Sequence, residues 1–288
     1  MGLFIGVFRD FCPLGFTWAA PPASARLYRY TSRQWGRWAG EVRYFITGAT
    51  GFFGRALARA LLDGGAERVV CYSRSESRQA LLADQLRYFP NVRHRLGDVR
   101  DRERLEEAMW GCDTIVHCAA LKRVDSVAFD PGEVRKTNVI GSANVIAAAL
   151  AVGARRVLMI SSDKAAAPTT SYGASKAQME HEAIASNSIT APRGLHVSCT
   201  RWGNVLRSTG SVTEVWREQL RRGAPLTVTD PSMTRFIISR YDAVRFCLAA
   251  LDWMDFRKAY PTERAKGVEG VRAAWRDHPS LAATRPHE

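Results

Sequence analysis

No two of the six cysteines form a C-x-x-C pair, which argues against a zinc site. Cys12, Cys71, Cys112, Cys118, Cys199 and Cys247 stand alone, mostly in apolar stretches where a free thiol behaves as a small hydrophobe. That usage speaks for a reducing compartment and against a disulfide scaffold. The six histidines show no metal-ligand spacing either, and His117, closing an apolar run, reads as a packed residue; no metal is expected. An uninterrupted run of 18 apolar residues is also missing, so no spanning helix and no membrane insertion are expected. The apolar start, Met1 to Ala20, is broken by Arg9 and Asp10, whereas a signal peptide carries its positive charge ahead of the apolar run. The chain therefore reads as cytoplasmic. A block of five basic residues is absent too: the net charge of +13 comes from scattered arginine. Scatter of that kind argues against a nucleic-acid footprint and leaves phosphorylated small molecules as the anions to consider.

What is present is regular. At 288 residues, 46% apolar and 24% charged, the chain can bury a full core. Three zones differ in character. Residues 1–41 hold Pro21-Pro22 and clustered aromatics without a clear period, an atypical N-terminal extension. Over 42–254, short apolar runs (Tyr44 to Ile46, Arg68 to Tyr72, Thr114 to His117, Val157 to Ile160) alternate with helix-length segments. Those segments are Arg55 to Leu62, Asp101 to Met109, Asn138 to Val152 and Ser175 to Ser186. Apolar runs of four or five suit strands buried on both faces, so the alternation predicts βαβ units and a doubly wound parallel sheet of the Rossmann type. Residues 255–288 are polar and carry little periodicity.

Thr47-Gly48-Ala49-Thr50-Gly51-Phe52-Phe53-Gly54 places G-x-x-G-x-x-G between the first regular strand and a helix. Gly48 suits a tight turn, Gly51 a close backbone approach to a pyrophosphate, and Gly54 close helix-strand packing, with the helix N-terminus facing the negative charge. The second strand ends in Tyr72-Ser73-Arg74. Fold members selective for NAD place an acidic residue there; a hydroxyl and a guanidinium suit the 2′-phosphate of NADP, so NADP is expected over NAD. Asp98 and Val99 follow the next strand, where the carboxylate serves either the adenine amino group or a cap for the helix near Arg102. Cys118-Ala119-Ala120, after the fourth strand, is small enough to let a cofactor pass.

Ser161-Ser162-Asp163-Lys164 ends the next strand, and Tyr172 and Lys176 follow, four apart and so on one face of a helix. An ammonium beside a phenol lowers the phenol's pKa, which makes Tyr172 a base for a hydroxyl proton, with Ser162 sharing the same oxygen. This set suits hydride exchange between an alcohol and a nicotinamide.

From Tyr44 to about Met254 the chain resembles the extended short-chain dehydrogenase/reductase family, and within it the UDP-N-acetylglucosamine 4,6-dehydratases of polysaccharide synthesis. The resemblance rests on the glycine motif, Tyr72-Ser73-Arg74, Gly97 to Asp101, Ala119 to Val124, Lys136-Thr137-Asn138, Ser162 to Ala166, Tyr172 to Lys176, Arg201 to Val205 and Met233 to Phe236. It implies a UDP-sugar substrate, and a homo-oligomer is expected. Tyr172 is then expected to take the sugar 4-OH proton as hydride passes to NADP, Lys164 to remove the acidified C5 proton, and Asp163 to protonate the departing C6 hydroxyl, before hydride returns to C6. Lys164 and Asp163 can divide those roles only if burial and mutual charge adjust both groups. A surface charge and a turn cap are the plain alternative, since adjacent side chains at a strand end point apart. The resemblance also implies that Lys122, Asn138, Asn204 and Arg235 hold the sugar nucleotide.

Two departures stand beside it. Some 40 residues precede the glycine motif, and the family's substrate-binding portion beyond Met254 has no counterpart here. The C-terminal substrate part therefore reads as small and truncated, with apolar surface near Phe246 to Leu251 left uncovered. An epimerase of the same fold, with Asp163 and Lys164 as bystanders, and an inactive NADP-binding remnant stay open as alternatives.

Overall fold

The structure, a computed structural model, describes residues 6–8, 41–122 and 129–259, with side chains over 41–122 and 129–254. Its strands and helices alternate as the apolar runs predict. In chain order they are β1 (Gly6–Phe8), β2 (Arg43–Thr47), α1 (Phe52–Asp63), β3 (Arg68–Ser73), α2 (Glu76–Gln85) and β4 (Val92–Leu96). Next come α3 (Arg102–Met109), β5 (Thr114–His117), α4 (Pro131–Arg135), α5 (Gly141–Ala151), β6 (Arg156–Ile160), α6 (Ser171–Thr190) and β7 (His196–Arg201). The last are β8 (Asn204–Val205), α7 (Val212–Arg221), β9 (Ile237–Ile238) and α8 (Arg240–Ala259).

Seven strands make one sheet in the order β1-β7-β6-β5-β2-β3-β4, six parallel and β1 antiparallel against β7. The central strands are buried on both faces, as parallel sheets require: Phe45, Ile46, Ile115, Val116, Leu158 and Met159 are each fully buried. One core holds α1 and α8 against the sheet; the other holds α3, α5 and α6. The fold is a doubly wound Rossmann-type α/β domain. Strand order reverses between β2 and β5, and ligands of such sheets bind at the carboxyl ends of the strands flanking that point.

The apolar surface expected to lie open on α8 is covered. Ala243, Val244, Cys247, Ala250, Leu251 and Met254 are buried against the α1 side of the sheet, and Trp202 stacks between Phe53 (4.8 Å) and Phe246 (6.3 Å). The buried residues of the helix recur every three or four positions and pack on the sheet. Apolar exposure falls instead on α7 and the segment after it, where Val212, Val215, Leu220, Leu226, Val228, Phe236 and Ile237 are exposed. Cys71, Cys112, Cys199 and Cys247 are free and buried, and Cys118 is free and half-buried; Cys12 lies outside the described residues. Among the described residues no helix is long and apolar enough to cross a membrane.

Candidate active site

The turn from β2 into α1 is shaped for something other than its own side chains. Gly48 sits at φ +65°, and a Cβ there would lie 2.8 Å from the backbone nitrogen of Ala119. At Gly54 a Cβ would lie 2.5 Å from the carbonyl of Gly48, so α1 packs against the turn only with glycine. Gly51 caps α1 without a side-chain acceptor, and no acidic residue occupies the first turn. Amides at the start of α1 thus face the switch point unpaired by side chains, the arrangement that receives a phosphate. The side chains of Phe52 and Phe53 turn away: Arg240 stacks over Phe52 at 4.8 Å and Phe53 packs on Trp202. At these two positions only the backbone remains for a cofactor. Thr50 is half-buried beside them.

At the end of β3 the Ser73 hydroxyl is buried with no hydrogen-bond partner, and the Arg74 side chain is half exposed 3.5 Å from Asp98. Burial raises Asp98, yet hydrogen bonds and charge from Arg100 (2.7 and 3.0 Å, plus the Arg100 amide at 3.0 Å) hold its carboxyl below the ordinary value. The two readings of Asp98 separate here: Asp101, not Asp98, caps α3, accepting from the Arg104 amide. Val99 is buried behind it. The glycine cradle and the orphaned Ser73 hydroxyl both fit a dinucleotide laid across the switch point.

The loop after β5 is pinned at both ends. Thr47 Oγ1 accepts from the amides of Cys118 (3.1 Å) and Ala119 (3.2 Å). Asn138 accepts from the Leu121 amide (2.8 Å) and donates to the Leu121 carbonyl (2.9 Å) and to Ser175 Oγ (3.0 Å). A buried relay joins the two clamps. Ser142 donates to the Asn138 carbonyl (2.7 Å), so its oxygen accepts from His117 Nε2 (3.0 Å), and bare Nδ1 accepts from the Thr47 hydroxyl (2.8 Å). Burial pushes His117 down to about 3, which keeps the ring neutral as this relay needs. His117 is a packed residue, as its position in the apolar run predicts. Asn138 differs from expectation: fully buried within a π-helical turn (Lys136–Ile140), its amide is committed to the loop and to Ser175. Ser142 and Ser175 were not singled out in the sequence. The signal for Ser142 was a small polar residue four after Asn138 on a buried helical face. Ala119 and Ala120 line the pinned loop, and exposed Lys122 ends its described part.

The reactive cluster converges more closely than its spacing promised. Ser162 is the extended residue before a 3-10 turn, Asp163–Ala165, and its hydroxyl donates to Asp163 Oδ1 (2.9 Å). Lys164 Nζ lies 3.1 Å from the same Oδ1 and 2.8 Å from Asn204 Oδ1. The tight turn is what defeats the strand-end geometry in which neighbors diverge. Thr170 caps α6 through the Gly173 amide (3.1 Å), presenting Tyr172 in the first turn, where its hydroxyl bonds Ser162. Tyr172, Ser162, Asp163, Lys164 and Asn204 thus form one hydrogen-bonded line.

Lys176 does not act on Tyr172 as expected. It is buried, donates to the Ile160 carbonyl (2.7 Å), and burial brings it down to about 8. Burial also pushes the Tyr172 phenol up to about 12, opposed by the Ser162 hydrogen bond and reinforced by Asp163. Desolvation outweighs the attraction inferred from sequence spacing. Of the remaining sequence candidates, Asn204 joins the cluster, whereas Arg235 is exposed and donates to the neighboring Thr234 carbonyl (2.7 Å).

This fold, with a glycine cradle at the switch point, Ser162 on the turn after β6, and Tyr172 and Lys176 on α6, is that of an extended short-chain dehydrogenase/reductase and is similar to dehydratases and epimerases. Residues 44–264 match the polysaccharide biosynthesis protein family, and the chain belongs to it. It is similar to a UDP-glucose 4-epimerase of Rickettsia conorii (39% identity over 211 residues, 72% of this chain and 62% of that one). A UDP-N-acetylglucosamine 4,6-dehydratase (inverting) of Campylobacter jejuni is 38% identical over 211 residues, covering 73% of this chain and 63% of its own. The chain thus spans about 62% of the length of the curated relatives it matches. Among solved structures, Pen from Bacillus thuringiensis has a TM-score of 0.73 at 32% identity, over 75% of this chain and 68% of its own. A dTDP-glucose 4,6-dehydratase from Streptomyces venezuelae, solved with NAD bound, has a TM-score of 0.67 at 25% identity, over 73% and 72%.

Proposed function

We propose that the chain is a nucleotide-sugar 4,6-dehydratase that uses NADP and acts on UDP-N-acetylglucosamine with inversion at C5. The observation that carries this reading is the Asp163–Lys164 pair, held 3.1 Å apart in one line with Ser162 and Tyr172. An epimerase oxidizes and re-reduces one carbon and needs no second acid-base pair; a dehydratase does.

The glycine turn, Ser73, Arg74, Asp98, Val99, Ala119 and Ala120 would hold the dinucleotide, with Ser73 and Arg74 meeting a 2′-phosphate. When bound, the nicotinamide accepts and returns hydride. Tyr172 would act as phenolate to take the proton of the sugar C4 hydroxyl, with the Ser162 hydrogen bond opposing the effect of burial. The resulting 4-ketone acidifies the C5 hydrogen. Lys164 as free amine removes it, and Asp163 as carboxylic acid protonates the departing C6 hydroxyl, so that one water leaves. When hydride returns to C6, C5 takes one proton from water, Tyr172 releases one to water, and the proton on Lys164 passes to Asp163, so that every group regains its starting form. Lys122 and Arg235 supply positive charge for the diphosphate.

Incubation with UDP-N-acetylglucosamine and NADP, followed by mass spectrometry, tests this. A product lighter by one water is expected. Conversion at C4 with unchanged mass would mean an epimerase, and no conversion with retained NADP binding an inactive member of the fold.

A further inference from the structure

Asn204 was expected to hold the sugar diphosphate, but its side-chain oxygen is already engaged inside the cluster. We infer that Asn204 is a positioning residue for Lys164, and that it ties the amine to the short sheet formed by β8 and β9. This rests on the proposed role of Lys164 as the C5 base.

Lys164 carries a long, flexible side chain, and about a third of it is exposed. Two acceptors fix its Nζ. Asp163 Oδ1 lies beside it on the same 3-10 turn, at 3.1 Å; Asn204 Oδ1 reaches it from a different element, at 2.8 Å. Asp163 alone leaves the amine free to swing about that oxygen. The second acceptor, 40 residues on, selects one direction. A neutral amide does this without adding a charge that would compete with Asp163 for the proton. The groups facing Lys164 are therefore Asp163 on its own turn, Tyr172 through Ser162 from α6, and the uncharged Asn204.

Asn204 is itself firmly placed. Its amide donates to the Phe236 carbonyl (2.8 Å), Asn204 pairs with Ile237 in parallel register, and the Leu206 amide donates to the Ile238 carbonyl (2.9 Å). The approach is so close that a Cβ on Gly203 would lie 2.3 Å from the Phe236 carbonyl. Met233 to Phe236, the segment bearing Arg235, leads directly into β9. Displacement of that segment would move the Phe236 carbonyl, hence Asn204, hence the direction of the Lys164 amine. A sugar nucleotide held by Arg235 would thus report its presence to the base through one short strand pair.

Two variants separate this role from packing and from substrate contact: Asn204→Leu, similar in volume without an acceptor, and Asn204→Asp, which keeps one. The first readout needs no ligand. Trace acetylation of the purified full chain, quantified on peptides by mass spectrometry, should label Lys164 several-fold faster in Asn204→Leu, relative to Lys136, and no faster than wild type in Asn204→Asp. Equal labeling in wild type and Asn204→Leu would overturn the inference. The second readout is turnover with UDP-N-acetylglucosamine. Loss of alignment of the order of an ångström lowers kcat for water loss about 10- to 100-fold in Asn204→Leu with little change in KM. A raised KM at unchanged kcat would instead restore Asn204 to the substrate. If wild type releases no water while the labeling still responds to Asn204, the dehydratase reading fails and the positioning role stands.

Discussion

Replacing Gly173 by alanine should damage catalysis far more than stability. Gly173 follows Tyr172 in the first turn of α6 and lies against the turn that carries Asp163 and Lys164. A Cβ at Gly173 would stand 2.5 Å from the Lys164 carbonyl oxygen and 3.3 Å from both the Lys164 carbonyl carbon and Pro168 Cα. Ordinary contact begins near 3.4 Å, so backbone must yield by about 0.9 Å. No flexible side-chain end is available to absorb that movement; either α6 or the 3-10 turn shifts. Alanine gains about 1 kcal/mol of helix propensity over glycine. Overpacking against backbone costs about 1–3 kcal/mol. The two nearly offset, and unfolding in urea should show a loss of about 0–2 kcal/mol with an unchanged slope. Separation of Tyr172 from the Asp163–Lys164 pair by nearly an ångström should lower kcat about 100-fold, with KM and NADP binding close to wild type. Wild-type turnover in a folded Gly173→Ala protein would refute the claim that this approach sets the geometry of the cluster.

Other outcomes follow from the same structure. Lys164→Ala should end water loss yet leave NADP binding intact, measured by product mass and by cofactor titration; retained water loss would remove Lys164 from the chemistry. Arg74→Ala should weaken NADP more than NAD in equilibrium titration, because only the former carries a 2′-phosphate; equal losses would count against that contact. Thr47→Val removes the acceptor of two amides and the partner of His117, and should cost about 2–3 kcal/mol in urea unfolding; a change within error would mean that the loop is not pinned there. Lys176 gives a pH signature. Its proton leaves the folded protein near pH 8 but the unfolded chain only near 10.5, so between those values the unfolded state binds more protons and stability rises with pH. Relative to Lys176→Met, wild type should gain up to about 3 kcal/mol across that window; a constant difference from pH 7 to 10 would contradict burial of the charged amine.

Much of the fold was legible because buried parallel strands leave an unmistakable trace. Tyr44 to Ile46, Thr114 to His117 and Val157 to Ile160 are continuous apolar runs, and each is a central strand. β4 carried no such trace: Val92–Leu96, at the sheet edge, alternates half-buried and exposed residues around Arg93 and Arg95. Of the site, the motif residues around Ser162 and Tyr172 were readable, since tight turns and helix spacing fix their neighbors locally. What sequence could not show was direction. Asn138 lies within a π-helical turn whose extra residue turns its amide onto Leu121, and Asn204 meets Lys164 only because β8 zips onto β9. The tyrosine misled for another reason: four-residue spacing places Lys176 on the same helical face, but burial, not the neighboring charge, decides both groups.

The central claim is that Lys164 takes a proton from C5 of the sugar, and turnover in deuterated water tests it most directly. The removed proton exchanges with solvent, and C5 regains one when hydride returns to C6. Wild-type product from UDP-N-acetylglucosamine should therefore be lighter by one water and carry solvent deuterium at C5, and Lys164→Ala should yield none. A product with its original C5 hydrogen would contradict the account.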